Sequence, residues 1–323
     1  RPLGAGPLAR CRHRETEDLN TIGCAGAGLL AAALALGACT RADPAEEARL
    51  ARKALQSGDP ATAVIHAKSA LQSDPDLAEA RFVLGVGLLR TGNAGAAEIE
   101  LQKALELGHY EREVIPELAD TIVAKGDAAR AIKLYGDRTL NEPAANAHLK
   151  TVLAEAYVAR GQPAQADAAL LEALNLQPGY PRALLARATR LAIDKKTDEA
   201  LRQVDMLIDA DARNARAWKL RGDILLYGRR EAAGAVEAFA KSIEAEPTFV
   251  DGHVALVGAL LSQADLARAE GAWKALKAVA PDSLSTLYFE ARIAFERQAF
   301  ERAREINQTL LRHMPANARA LLL

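Results

Sequence analysis

Cysteine is scarce, with 3 among 323 residues, too few for a disulfide scaffold. Aromatic residues make up only 4%, and much of the apolar content is alanine. That supply suits helices and starves a β-sandwich, which draws on Val, Ile, Tyr and Thr. An excess of one charge is missing as well. The 41 Lys and Arg face 42 Asp and Glu, a net charge of −1, whereas nucleic-acid binders carry a basic face that displaces counterions. No nucleic-acid partner is expected. At 50% apolar and 26% charged, the composition is that of a folded chain. Length alone suggests roughly two domains, an expectation that the repeats described below replace.

Motifs of catalysis and metal binding are missing too. His13, His66, His109, His148, His253 and His313 include no pair at ligand spacing on one helix, and there is no HExxH or CxxC. Neither GxxxxGK[ST] nor GxSxG occurs. Gly85-Val86-Gly87 falls inside a helical pattern, where glycine serves close packing. Glu46/Glu47 and Glu98/Glu100 read as carboxylates on exposed helical faces. Accordingly no enzyme, cofactor or metal site is expected.

What is present begins with an apolar leader. Leu19 to Thr40 contains no charged residue and ends in Leu36-Gly37-Ala38-Cys39. A short apolar stretch ending in small residues is the physical signature of a secretory signal. The ending resembles the bacterial lipobox, and the resemblance implies lipidation at Cys39 and cleavage before it. Several acyl chains on one residue anchor stably where one alone is marginal. Thr40 in place of an aspartate points to the outer membrane. Residues 1–39 are thus read as the signal segment, with the stretch holding Glu15, Glu17 and Asp18 as upstream sequence. The uncharged window is also just long enough for a retained membrane anchor, so that alternative stays open.

Beyond the leader the chain repeats with a period of 34. Pro75, Pro143, Pro178, Pro247, Pro281 and Pro315 mark it, with His109 and Ala212 in the two remaining slots. Twelve residues earlier stand Ala63, Ala97, Ala131, Ala166, Ala200, Ala235, Ala269 and Ala303. Five residues before those come Gly58, Gly92, Gly126 and Gly161, then Lys195, Arg230, Ala264 and Gln298. The glycine fits a left-handed turn between two helices, the alanine a close helix approach, the proline a helix end. In the second unit Leu84, Gly85, Leu88 and Leu89 are read as one buried stripe, and Ala97, Leu101, Ala104 and Leu105 as the other.

The pattern resembles the tetratricopeptide repeat (TPR). It implies an all-α solenoid of about eight helix-turn-helix units over 44–317, wound as a right-handed superhelix with a core shared between neighbours. Single extra residues fall in or after units three and six. Residues 318–323 read as the start of a ninth unit, with more repeats or another domain expected beyond it. In such folds the first helices line the concave side. Candidate groove residues are Phe82, Arg90, Glu155, Arg182, Arg216, Lys219, Asp223, Tyr288, Arg292 and Phe295. Arg182, Arg216 and Lys219 are expected to form a modest basic strip for an acidic peptide tail or an anionic saccharide.

A lipobox followed by TPR units, with Gly108-His109-Tyr110 and Val114-Ile115-Pro116-Glu117-Leu118-Ala119 in the third unit, resembles the TPR lipoproteins of the PEP-CTERM/exosortase system (PrsT type). That resemblance implies a non-catalytic envelope scaffold in exopolysaccharide production and surface-protein sorting. It implies protein partners in the groove and a lipid anchor in the outer membrane facing the periplasm. Two alternatives stay open: a general outer-membrane or pilus assembly lipoprotein, and the front end of an envelope enzyme.

Overall fold

A computed structural model describes residues 43–313. Cys39, the leader and the residues read as a ninth unit lie outside the described residues. Sixteen α-helices follow one another, with no strand among the described residues. They are α1 (Pro44–Gln56), α2 (Pro60–Ser73), α3 (Ala78–Arg90), α4 (Ala94–Glu106), α5 (Glu111–Ala124), α6 (Ala128–Tyr135), α7 (Pro143–Ala159) and α8 (Pro163–Leu176). The second half holds α9 (Pro181–Ile193), α10 (Thr197–Ala210), α11 (Ala215–Asp223), α12 (Ala232–Ala245), α13 (Val250–Ser262), α14 (Leu266–Val279), α15 (Leu284–Glu296) and α16 (Phe300–His313). Among the described residues, no helix is long and apolar enough to cross a membrane.

Each odd helix packs on the even helix after it, and also on the next odd helix. The result is a row of hairpins, not a globule. The marker alanines show why the hairpins close. Seven of the eight are fully buried and Ala303 is 4% exposed, so a larger side chain there would push the helices apart. Glycines inside helices do the same work. A Cβ on Gly85 would sit 2.6 Å from Leu101 Cγ, and one on Gly87 2.8 Å from Val64 Cγ2. Gly222 is tighter still, because its Cβ would collide with the Phe239 ring, the largest fully buried side chain.

Turns within hairpins follow one recipe. The backbone N–H of Asn93 donates to Leu88 O, that of Asp127 to Ile122 O, and that of Lys196 to Leu191 O, closing the first helix with a bond five residues back. The residue just before each donor is left-handed: Gly92 (φ 86°), Gly126 (84°), Lys195 (60°). Asp59, Asn93, Asp127 and Asp265 then cap the second helix through their side chains.

The extra residue of unit six has a defined place. After α11 the chain runs on as a π-helical segment, Ile224–Arg229, and its closing bond reaches six residues back, from Glu231 N–H to Leu225 O. A π turn absorbs one added residue without ending the helix. The unit-three extra residue falls differently. Here α6 stops at Tyr135, and Pro143 opens α7 as its first residue, whereas Pro75, Pro247 and Pro281 stand three residues ahead of theirs.

Three sequence readings need correction. Phe82 is core, 8% exposed, stacked on His109 at 4.6 Å with the Arg52 guanidinium over its ring. Glu98 is 6% exposed and bound by Lys125 at 2.6 Å and by Arg130, while Glu100 pairs with Arg81 on α3. These carboxylates tie helices together and are not a free solvated face. Leu89, assigned to the buried stripe, is half-buried and opens onto the groove.

Candidate binding groove

Because odd helices touch odd helices, their free faces merge into one concavity. Two contiguous hollows make it up. One, of about 910 Å³, lies over α3, α5, α7 and α9 and reaches α11. The other, of about 1290 Å³, lies over α9, α11, α13 and α15. Thr189 and Ile193 line both, so the groove runs unbroken from α3 to α15.

At the centre of the first hollow Arg182, near the start of α9, bridges back over two helices. Its Nη1 and Nη2 donate to Asp120 of α5 at 2.6 and 2.8 Å, and its Nε and Nη2 donate to Glu155 of α7 at 2.8 and 2.6 Å. Planar guanidinium geometry allows this double fork. His148 of α7 stands beside it, 3.5 Å from Arg182 and 4.0 Å from Asp120. Burial alone would raise the Asp120 carboxyl; the hydrogen bonds from Arg182, with the charges of Arg182 and of the neighbouring His148, outweigh that and hold it well below the usual carboxylate range. Arg182 is held firmly protonated, its burial outweighed by the two carboxylates.

Glu117, one turn before Asp120 on α5, has no such partner. No hydrogen bond or ion pair to its carboxylate occurs among the described residues. Burial raises its pKa, opposed by the charge of His148 and reinforced by that of Asp120, with Arg90 and Arg182 pulling it down more weakly.

In the second hollow Lys219 donates to Asp223 at 2.7 Å. Burial raises the Asp223 carboxyl, Lys219 opposes the shift, and the neighbouring charge of Asp251 adds to it. Arg292 donates to Glu296 at 2.8 Å.

An apolar residue recurs at one register near the end of the first helices. Leu89, Val123, Val158, Tyr227, Leu261 and Phe295 each stand three residues before the left-handed position of their turns; Ile193, two before Lys195, completes the series. Val158, Ile193 and Tyr227 are 46%, 62% and 78% exposed.

Of the ten candidate residues, Arg90, Glu155, Arg182 and Arg216 meet in the first hollow, and Lys219, Asp223, Tyr288 and Arg292 in the second. Phe82 is buried, and Phe295 packs edge-on against Phe300 at the far turn, outside both. The expected basic strip does not form. Arg182 is neutralised by two carboxylates and Lys219 by one; Arg216 alone of the three has no ion pair among the described residues. Sequence reasoning missed Glu117, Asp120, His148, Ile193 and Tyr227. Register could have found two of them: Asp120 precedes Glu155 by one unit, and His148 precedes Arg182 by one.

The sequence matches no protein-family model and no curated protein. The structure is nonetheless similar to several solved ones. PilW, a type IV pilus biogenesis factor, superposes with a TM-score of 0.57 at 18% identity over 65% of this chain and 97% of PilW. A tetratricopeptide repeat protein from Parabacteroides merdae gives 0.54 at 17%, over 81% of this chain and 98% of that one. Human IFIT1 in its dimer with m7Gppp-AAAA gives 0.61 at 16%, over 83% and 68%. The fold is a TPR solenoid. At these identities the likeness is one of fold alone.

Proposed function

We propose that this chain is a non-catalytic TPR scaffold of the bacterial envelope, binding other envelope proteins in its concave groove. One observation carries the reading: an unbroken groove over seven first helices, with a charged floor and an exposed apolar row, offers a surface for an extended protein segment. Function in repeat folds lives on that surface, not in the shared core. Lipidation at Cys39 would hold the protein on the outer membrane, facing the periplasm. The work we assign to it is assembly in PEP-CTERM/exosortase-linked exopolysaccharide production and surface-protein sorting.

Affinity purification of the full chain from native membranes tests the partner class. Recovery of polysaccharide-export or sorting components is the expected result; recovery of neither defeats the reading. A second reading, pilus or outer-membrane assembly, draws on the likeness to PilW, and co-purification of pilus components would favour it. The anchor has its own test. Cys39→Ser should release the protein from membranes, and a variant that stays bound removes lipidation from the proposal.

A further inference from the structure

Glu117 is the odd residue of the groove. Every other carboxylate on the floor of the first hollow is bound by a cation: Asp120 and Glu155 both by Arg182. Glu117 lies in the same hollow, largely withdrawn from water, with no donor on it among the described residues. Arg90, which lines the same hollow, instead donates to the Leu55 carbonyl at 3.4 Å. A half-buried carboxyl without a partner costs stability, and that cost is relieved when a cation arrives from outside.

The surroundings specify more. Val158 and Ile193 of the exposed apolar row line the same hollow, and Tyr227 continues the row into the next one. Around Glu117, the carboxylates Glu117, Asp120 and Glu155 stand against the guanidinium groups of Arg182 and Arg90, which leaves one negative charge uncompensated there. The complement is a segment that carries a cationic side chain followed, or preceded, by apolar ones.

We propose that the groove binds an extended segment of a partner protein through a lysine or arginine placed on Glu117, with apolar residues on Val158, Ile193 and Tyr227. This rests on the groove being a protein-binding surface, and it reverses the polarity that an acidic-tail receptor would need. Glu117 is the specificity-determining residue: its charge selects the cation, while the apolar row supplies contact area.

The test uses the full chain and three blocked, fluorescein-labelled peptides. The first is Lys-Ser-Pro-Leu-Ser-Pro-Leu-Ser-Pro-Lys, with a cation at either end so that chain direction does not matter. The second and third replace both lysines by glutamine or by glutamate. Fluorescence anisotropy should rank them lysine, glutamine, glutamate. The lysine peptide should bind about tenfold more tightly than the glutamine one, as expected for one charge-assisted hydrogen bond in a partly dry site. Glu117→Gln should erase that margin, while unfolding in urea no earlier than wild type at pH 7 shows that the fold is intact. Equal binding of all three, or preference for glutamate, overturns the cation site and leaves the groove reading standing. Binding of none overturns both.

Discussion

Arg182 spends all of its hydrogen-bonding fork on two carboxylates from two earlier units. Its replacement by leucine leaves Asp120 and Glu155 facing each other without a cation. Breaking a fully buried pair costs about 3–5 kcal/mol; the open groove screens part of this, so a loss of about 1–3 kcal/mol is expected in urea unfolding at pH 7. The sign of the pH dependence follows from the depressed Asp120 pKa. Its stabilisation is fully present above the ordinary carboxylate range and is lost as pH falls through the lower, folded value. The gap between wild type and Arg182→Leu should therefore be wide at pH 7 and narrow only in strong acid. Glu117 behaves oppositely. Its pKa is raised, so its contribution is complete below the unfolded value and is lost as pH rises through the folded one. Glu117→Gln should equal or exceed wild type in stability at pH 7, and its relative advantage should disappear under acid as the wild-type carboxyl takes up its proton. A Gln variant that is clearly less stable at pH 7 would mean that the carboxylate has a partner after all.

Within a single hairpin, the turn and the tight crossing decide stability. Lys195, Arg230, Ala264 and Gln298 hold the left-handed conformation that Gly58, Gly92, Gly126 and Gly161 hold in the first four units. A side chain there costs roughly 1 kcal/mol, so Lys195→Gly should raise the midpoint of thermal unfolding, and Gly92→Ala should lower it. At the crossing of α11 and α12, Gly222→Ala drives a methyl into the Phe239 ring, an overpacking worth about 1–3 kcal/mol. Both faces of this logic were legible in the sequence, since a fixed spacing of glycine, alanine and proline follows directly from helix reversal and close approach. The side-chain floor of the groove was not. Phe82 looked like a surface aromatic because its stripe position alone says nothing of His109, 27 positions along, on which it stacks. Asp120 and Arg182 lie 62 positions apart, and no local periodicity links them. Only superposing units by register puts them on one face. Where a cation stands is readable from sequence; which carboxylate has already claimed it is not.

On the scale of the molecule, stability passes only between neighbours. Truncating Phe239, fully enclosed between α11 and α12, should cost about 3–5 kcal/mol where it sits. Hydrogen exchange of Phe239→Ala should rise in α11 to α13, while α1 to α4, four and five hairpins away, keep wild-type protection. Uniform loss of protection along the chain would show instead a single cooperative core.

The π turn at Ile224–Arg229 carries a consequence beyond its own helix. By swallowing one residue, it returns Tyr227 to the line drawn by Val158 before it and Leu261 after it. The groove is thus graduated like a ruler, whose marks are helix axes about 8–10 Å apart. A polyproline-II segment repeats every three residues, or about 9.3 Å, and stays in step with those marks over several units. A β-strand repeats its side chains every ~6.6 Å and drifts off them within two. Deleting one residue of the π turn returns unit six to the 34-residue length of its neighbours, so the later marks should keep their places and ligands long enough to cross α11 should keep their affinity.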